Sequence, residues 1–266
     1  MDNEIINHNR SAWDKRVQDG SKWTIRVSSE VIELARKGLF NIKLTSQKPV
    51  PRAWFPNDIK GQDILCLASG GGQQGPVLSA TGANVTVLDI SGLQLKQDEF
   101  VARRDNLDLK TVQGDMCDLS RFGDETFDIV FNPVSNTYIP ELTPVWSECY
   151  RVLKKGGILM TGCVNPYIYI FNGEKWDDEI LEVSNKLPYN SLDEIDEEGR
   201  KEFLEKGNAI EYSHTLDELI GGQVSVGFHI NGFYEDIDSD LICNYAPKYF
   251  ATRAVKPLLQ EILRSY

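Results

Sequence analysis

The sequence predicts an α/β fold: a mostly parallel, doubly wound sheet with helices on both faces. Three observations carry that expectation. From Asp63 onward, short apolar runs alternate with segments of helical periodicity, the pattern of strands fully buried in a layered sheet. The first apolar run ends in a glycine-rich stretch, "SGGGQQG", that leads straight into a helix. The second run ends in an acid, Asp89.

Bulk properties fit one large domain, or a domain with an insertion. The 266 residues are 41% apolar, 26% charged and 10% aromatic, ordinary values for a globular chain with a sizeable core. A net charge of −12 argues against a broad nucleic-acid footprint, which needs clustered Lys and Arg. The five cysteines are scattered without a C-x-x-C pair, so reduced thiols are expected and a metal site is not. The polar start "MDNEIINHNRSAWDKR" is no secretory signal, and no run reaches the length of a membrane span, which points to the cytoplasm and away from a membrane.

Residues 1–60 have their own character. "SSEVIELARKGLF" reads as a helix that Ser28 or Ser29 can cap and Gly38 can end. "TSQKPVPRAWFP" carries Pro49, Pro51 and Pro56, which forbid regular structure and suggest an ordered extended connector. Strands follow at 64–68, 84–89, 109–115, 126–132 and 156–165. Helices are predicted between them over "QQGPVLSATG", over "SGLQLKQDEFVARRDN" capped by Ser91, and over "ELTPVWSECYRVLKK". Residues 166–213 break the order: they are aromatic and acidic, with "SLDEIDEEGRKEFLEKG" as a solvated helix. "HTLDELIGGQVSVG" resumes as helix, and 228–236 and 249–257 close the chain as strands. Residues 1–60 thus read as a helical extension or lid, and 61–266 as the main domain with a cap inserted at about 166–213.

A glycine-rich turn before a helix lets a ligand approach the backbone and meet unpaired N–H groups. Its anion is a pyrophosphate or the carboxylate of an amino acid. Asp89, roughly 20 residues after the first glycine, is placed to accept from ribose hydroxyls. Asp115 in "GDMCDL" falls at the carboxyl edge of the third strand, where it can accept from an adenine amine while the N–H of Met116 donates to a ring nitrogen. "FDIVFNPVSNTY" ends its strand at Asn132, facing the expected reaction centre.

The ordered set resembles the class I S-adenosylmethionine-dependent methyltransferases. The glycine loop, Asp89, "GD" at 114–115, "FDIV" at 127–130 and "RVLKKGGIL" at 151–159 carry the likeness, together with "TLDELIGGQVSVGFHINGFYED" near the end. The resemblance implies a Rossmann-like sheet of seven strands with the last antiparallel. It also implies S-adenosyl-L-methionine as cofactor and in-line methyl transfer to a small-molecule acceptor. On that basis Ala68, Ser69, Gly70, Gly72, Gln73 and Gln74 would meet the cofactor's amino-acid end and Asp89 its ribose. Ile90, Asp115 and Met116 would surround adenine, and Asn132 would lie near the sulfonium. The chain departs from the family's common LDLGCGTG in Cys66, where an acid is usual, and in Ala68, where the first glycine stands. His214 and Tyr138 are the candidate bases, and Trp13, Trp23 and the aromatics of "NPYIYIFNGEKW" are candidate walls. Two alternatives share the loop: an NAD(P)-dependent oxidoreductase, and a cofactor-binding module without catalysis.

Overall fold

The computed structural model describes residues 3–258 apart from residue 194. Glu194, inside the predicted acidic helix, and residues 259–266 lie outside the described residues. A seven-stranded sheet is built from β1 (Asp63–Leu67), β2 (Asn84–Asp89), β3 (Leu109–Gln113), β4 (Phe127–Asn132), β5 (Leu153–Val164), β6 (His229–Asp236) and β7 (Tyr249–Val255). Its order is β3-β2-β1-β4-β5-β7-β6. β1 to β5 pair in parallel, and β7 runs antiparallel to both neighbours. The expected α/β architecture with an antiparallel last strand is what forms.

Helices α1 (Asn3–Gln18), α2 (Ser29–Arg36), α3 (Gln74–Ala80), α4 (Gly92–Asp105), α5 (Thr143–Val152), α6 (Glu197–Glu205) and α7 (Gly222–Ser225) complete the chain. Two apolar layers flank the sheet. One packs Ile64, Cys66 and Phe131 against α2, α3 and α4. The other packs Leu65, Leu67 and Val130 against α5 and Trp146. Adjacent residues of one strand thus feed opposite layers, as the pleat requires. Ser91 caps α4 by accepting from the N–H of Gln94, as expected. α6 has no buried residue, in keeping with a solvated helix.

Two predicted elements change. The helix expected over 141–155 stops at Val152, and β5 begins at Leu153. Lys154 points across the strand ends instead, pairing with Asp63 at 2.8 Å and Asp128 at 2.9 Å, and Gly156 turns the chain with φ +78°. The helix expected from His214 starts as a π turn over Asp217–Gly221. Trp146 Nε1 donates to the Glu218 carbonyl at 2.9 Å and Gln223 Nε2 to the Leu219 carbonyl at 2.7 Å. Side chains that take carbonyls from the regular ladder are a known cause of such widening.

The proline-bearing connector is ordered. Asp236 Oδ2 accepts from Thr45 Oγ1 and from the backbone amides of Gln47 and Lys48, and the Leu44 carbonyl accepts from Val134 N–H. This holds residues 43–46 against the carboxyl ends of the central strands. No helix among the described residues is long and apolar enough to cross a membrane.

Candidate functional site

The site begins where β1 gives way to α3. Ala68 takes φ +47°, with Gly71 at +124° and Gly72 at +73°. A left-handed alanine costs about 1–2 kcal/mol, and Ala68 N–H is held by the Leu88 carbonyl at 2.8 Å. Gly70 is required by close approach: a Cβ there would lie 2.7 Å from Gln94 Cβ and 3.0 Å from Asp89 Oδ2.

The loop amides face inward. Gly70 N–H donates to Asp89 Oδ2 at 2.9 Å, and Gly71 N–H donates to Asp98 Oδ2 at 2.9 Å. The donors that a pyrophosphate would need are therefore taken by buried carboxylates. Burial pushes the Asp89 carboxyl up to about 6, against the pull of the Ser91 and Gly70 amides. It pushes Asp98 up to about 8, against the Gly71 and Gly72 amides. Of the two, Asp89 is the one mainly ionised at neutral pH, and a negative charge beneath the loop disfavours a phosphate.

A cavity of about 440 Å³ opens over the loop, within the usual range for small-molecule sites. Of the residues expected to hold a cofactor, Ala68, Ser69, Gly70, Gln73, Gln74, Asp89, Ile90, Asp115 and Met116 all line it. Ser69 Oγ and Gln94 Oε1, both buried and on the lining, have no protein partner. Buried polar atoms without partners are costly unless a ligand or water meets them.

The N-terminal segment straps the loop from outside. Val27 N–H donates to the Gly72 carbonyl at 3.0 Å, and Gln73 Nε2 donates to the Ile25 carbonyl at 2.8 Å. Trp13 and Trp23 both reach the cavity. Asn9, buried on α1, joins three parts of the inner wall: its amide donates to the carbonyls of Tyr138 and Ile210, and its oxygen accepts from Ile210 N–H. Arg16 Nη1 donates to Tyr138 Oη at 3.1 Å and lies 4.5 Å from the Trp13 ring centroid. Across from it, Tyr169 Oη donates to Glu211 Oε2 at 3.2 Å. Burial raises Glu211, and the Arg16 charge draws it part of the way back.

Other expected residues sit elsewhere or behave differently. Gly72 lies under Arg26 and Gln97 and is absent from the lining. Asn132 is fully buried; it donates to the Leu67 carbonyl and Ser135 Oγ and accepts from Thr161 Oγ1, so it ties β1, β4 and β5 together behind the cavity. His214 is also buried away from the lining, bonded through Nε2 to the Asn136 carbonyl. Burial lowers its pKa, and its place is structural. Tyr138 does line the cavity, but burial pushes its hydroxyl up to about 12, so it is not a ready base at neutral pH. Arg16, Gln94 and Glu211 were not singled out from the sequence. Glu211 had a signal, a lone acid between Ala209-Ile210 and Tyr212. Gln94, one turn into α4, faces the loop but looks like any helix-surface polar residue.

A family model described as "Methyltransferase domain" matches residues 65–161. Over 254 residues, 96% of this chain and 99% of the relative, the chain is 47% identical to "Uncharacterized methyltransferase YbaJ" of Bacillus subtilis (strain 168). The chain belongs to the S-adenosylmethionine-dependent methyltransferases. "Sterol 24-C-methyltransferase erg-4" of Neurospora crassa is 30% identical over 175 residues, 65% of this chain and 40% of that one. Solved S-adenosylmethionine-dependent methyltransferases from Mesorhizobium loti and Methanosarcina mazei share the fold with TM-scores of 0.55 and 0.56. Their identities are 19% and 20%, with 77% of this chain covered in each case and 94% and 96% of theirs.

The cofactor of this methyltransferase is accordingly S-adenosyl-L-methionine, and the residues present fit it. The orphaned Ser69 Oγ and Gln94 Oε1 supply acceptors where Cys66 leaves no acid. The NAD(P) and non-catalytic alternatives give way to the methyltransferase reading, and the occupied loop amides supply the physical reason against a pyrophosphate.

Proposed function

We propose that this methyltransferase acts on a small organic acceptor held between the glycine loop and the wall formed by Trp13, Tyr138, Tyr169 and Glu211. The observation that carries the reading is the wall: α1 and residues 209–212, joined through Asn9, cover one side of the cavity with the chain's own backbone. A polymer would need an open groove. The net charge of −12 also disfavours nucleic acid. The unpaired cysteines support a cytoplasmic setting, and residues 1–60 and 166–213 are assigned together as the cap.

When bound, S-adenosylmethionine supplies a methyl group activated by its sulfonium. Asp89 is assigned to the ribose hydroxyls, Ile90, Asp115 and Met116 to adenine, and Ser69, Gly70, Gln73 and Gln74 to the amino-acid end. Arg16 and the aromatic wall orient the acceptor. Alignment of this kind contributes about 7–11 kcal/mol. Glu211 is the carboxylate on the inner wall, with a pKa raised by burial toward the range where a base works best, and it is assigned to take the acceptor's proton.

The test is to incubate the protein with methyl-labelled S-adenosylmethionine and a whole-cell extract, then separate small molecules from protein and nucleic acid. Label confined to the small-molecule fraction, and lost in Glu211→Gln, is expected. Label on protein or RNA contradicts the reading.

A further inference from the structure

We propose that Asp98, on α4, is the positioning residue that shapes the glycine loop for its cofactor, doing from a helix what an acid at the position of Cys66 would do from β1. The proposal concerns the cofactor half of the site and does not depend on the acceptor.

Asp98 is fully buried. Cys66 on β1 and Val87 on β2 lie in the apolar layer beneath the loop, close to this carboxyl. Among the described residues no Lys, Arg or His forms an ion pair with it, while the nearby Asp89 opposes its charge. Burying a carboxyl group without a cation is expensive and draws it toward its protonated form, so what keeps it there is its contacts. Those contacts are the loop: Oδ2 accepts from Gly71 N–H at 2.9 Å, and the Gly72 N–H also points to this carboxylate. Gln94, four residues earlier on the same helix face, adds its carbonyl to Gly71 N–H at 3.2 Å.

Two consecutive amides drawn onto one carboxylate fix the left-handed pair Gly71 and Gly72. With those amides turned toward α4, Gly71 and Gly72 are off the cavity lining, which the loop meets with Ala68, Ser69, Gly70, Gln73 and Gln74. Oδ1 has no partner and lies 3.3 Å from where a Cβ on Gly75 would sit, so a side chain at 75 would displace it. Cys66 is close enough for the Asp98 charge to raise its thiol further above an already burial-raised value. A carboxylate placed at 66 would therefore enter the same apolar space from the other side.

The experiment compares wild type, Asp98→Ala, and the double variant Cys66→Asp with Asp98→Ala. The readouts are S-adenosylhomocysteine affinity by calorimetry on cofactor-stripped protein, and the thermal midpoint. Asp98→Ala is expected to weaken binding by about 10-fold, the cost of leaving a buried loop donor without its acceptor, and the relocated carboxyl group should recover most of it. A folded Asp98→Ala with wild-type affinity overturns the proposal, as does a double variant that binds no better than the single one. If Asp98→Ala does not fold, the double variant decides: folded and binding supports the proposal, unfolded overturns it. Failure of the wild-type protein to bind would instead overturn the cofactor assignment, and the proposal with it.

Discussion

Replacing Asp89 by alanine separates what this residue does for the fold from what it does for the cofactor. In the free protein its carboxylate accepts from Gly70 N–H and Ser91 N–H, each at 2.9 Å. Losing them orphans two amides at about 1–3 kcal/mol each. The same substitution removes a buried charge. Raising a carboxyl from 3.8 to about 6 at about 1.4 kcal/mol per pH unit means roughly 3 kcal/mol of stability is regained at neutral pH. The two effects nearly cancel, so the free protein should stay folded, within about 2 kcal/mol of wild type by urea denaturation. Cofactor binding has no such compensation. Two bonds from ribose hydroxyls to a carboxylate are worth about 1.5–3 kcal/mol each, so affinity for S-adenosylhomocysteine should fall by at least about 100-fold. Asp89→Asn, which keeps one acceptor, should fall between. Calorimetry on both variants checks this, and a folded Asp89→Ala that binds within about threefold of wild type would refute the assignment.

Other consequences are as specific. Asp98 binds its proton more tightly when folded than when unfolded, with a folded value of about 8, so it subtracts stability as pH rises from about 4 to about 8. The thermal midpoint of Asp98→Asn should therefore gain on wild type across that window, most of all at its upper end; a constant difference contradicts this. Gly162→Ala would set a Cβ 2.1 Å from the Leu44 carbonyl oxygen, a backbone clash worth about 3 kcal/mol in urea denaturation; a loss below about 0.5 kcal/mol would mean the connector does not lie on β5. Trp23 is partly exposed and lines the cavity, whereas Trp54 and Trp146 are buried off it. Trp13 lines the cavity as well, so intrinsic fluorescence should change on adding S-adenosylhomocysteine, and most of that change should vanish in the double variant Trp13→Phe with Trp23→Phe.

The centre of the sheet was legible because β1 and β4 are short and buried on both faces, so they stand out as apolar runs such as "ILCL" and "IVF". The cofactor edge was legible for a related reason: glycines and acids at strand ends have few other uses there, and Asp89, Asp115 and Met116 all reach the cavity. Asn132 shows where this logic stops. A polar residue at a strand end either faces a ligand or ties neighbouring strands, and its three bonds to Leu67, Ser135 and Thr161 choose the second. The acceptor wall was the least legible part. Arg16, Tyr138 and Glu211 are far apart in sequence and meet only because Asn9 pins α1 to residues 138 and 210. Asp98 was hidden differently: inside a charged helical stretch it reads as solvated, and only the fold places it under the loop.

The most direct test of the account is a calorimetric titration of the cofactor-stripped protein with S-adenosylhomocysteine and, separately, with NADH. The loop amides bound to Asp89 and Asp98 predict saturable one-to-one binding of the first and none of the second. Tight NADH binding, or no heat with S-adenosylhomocysteine, would contradict it.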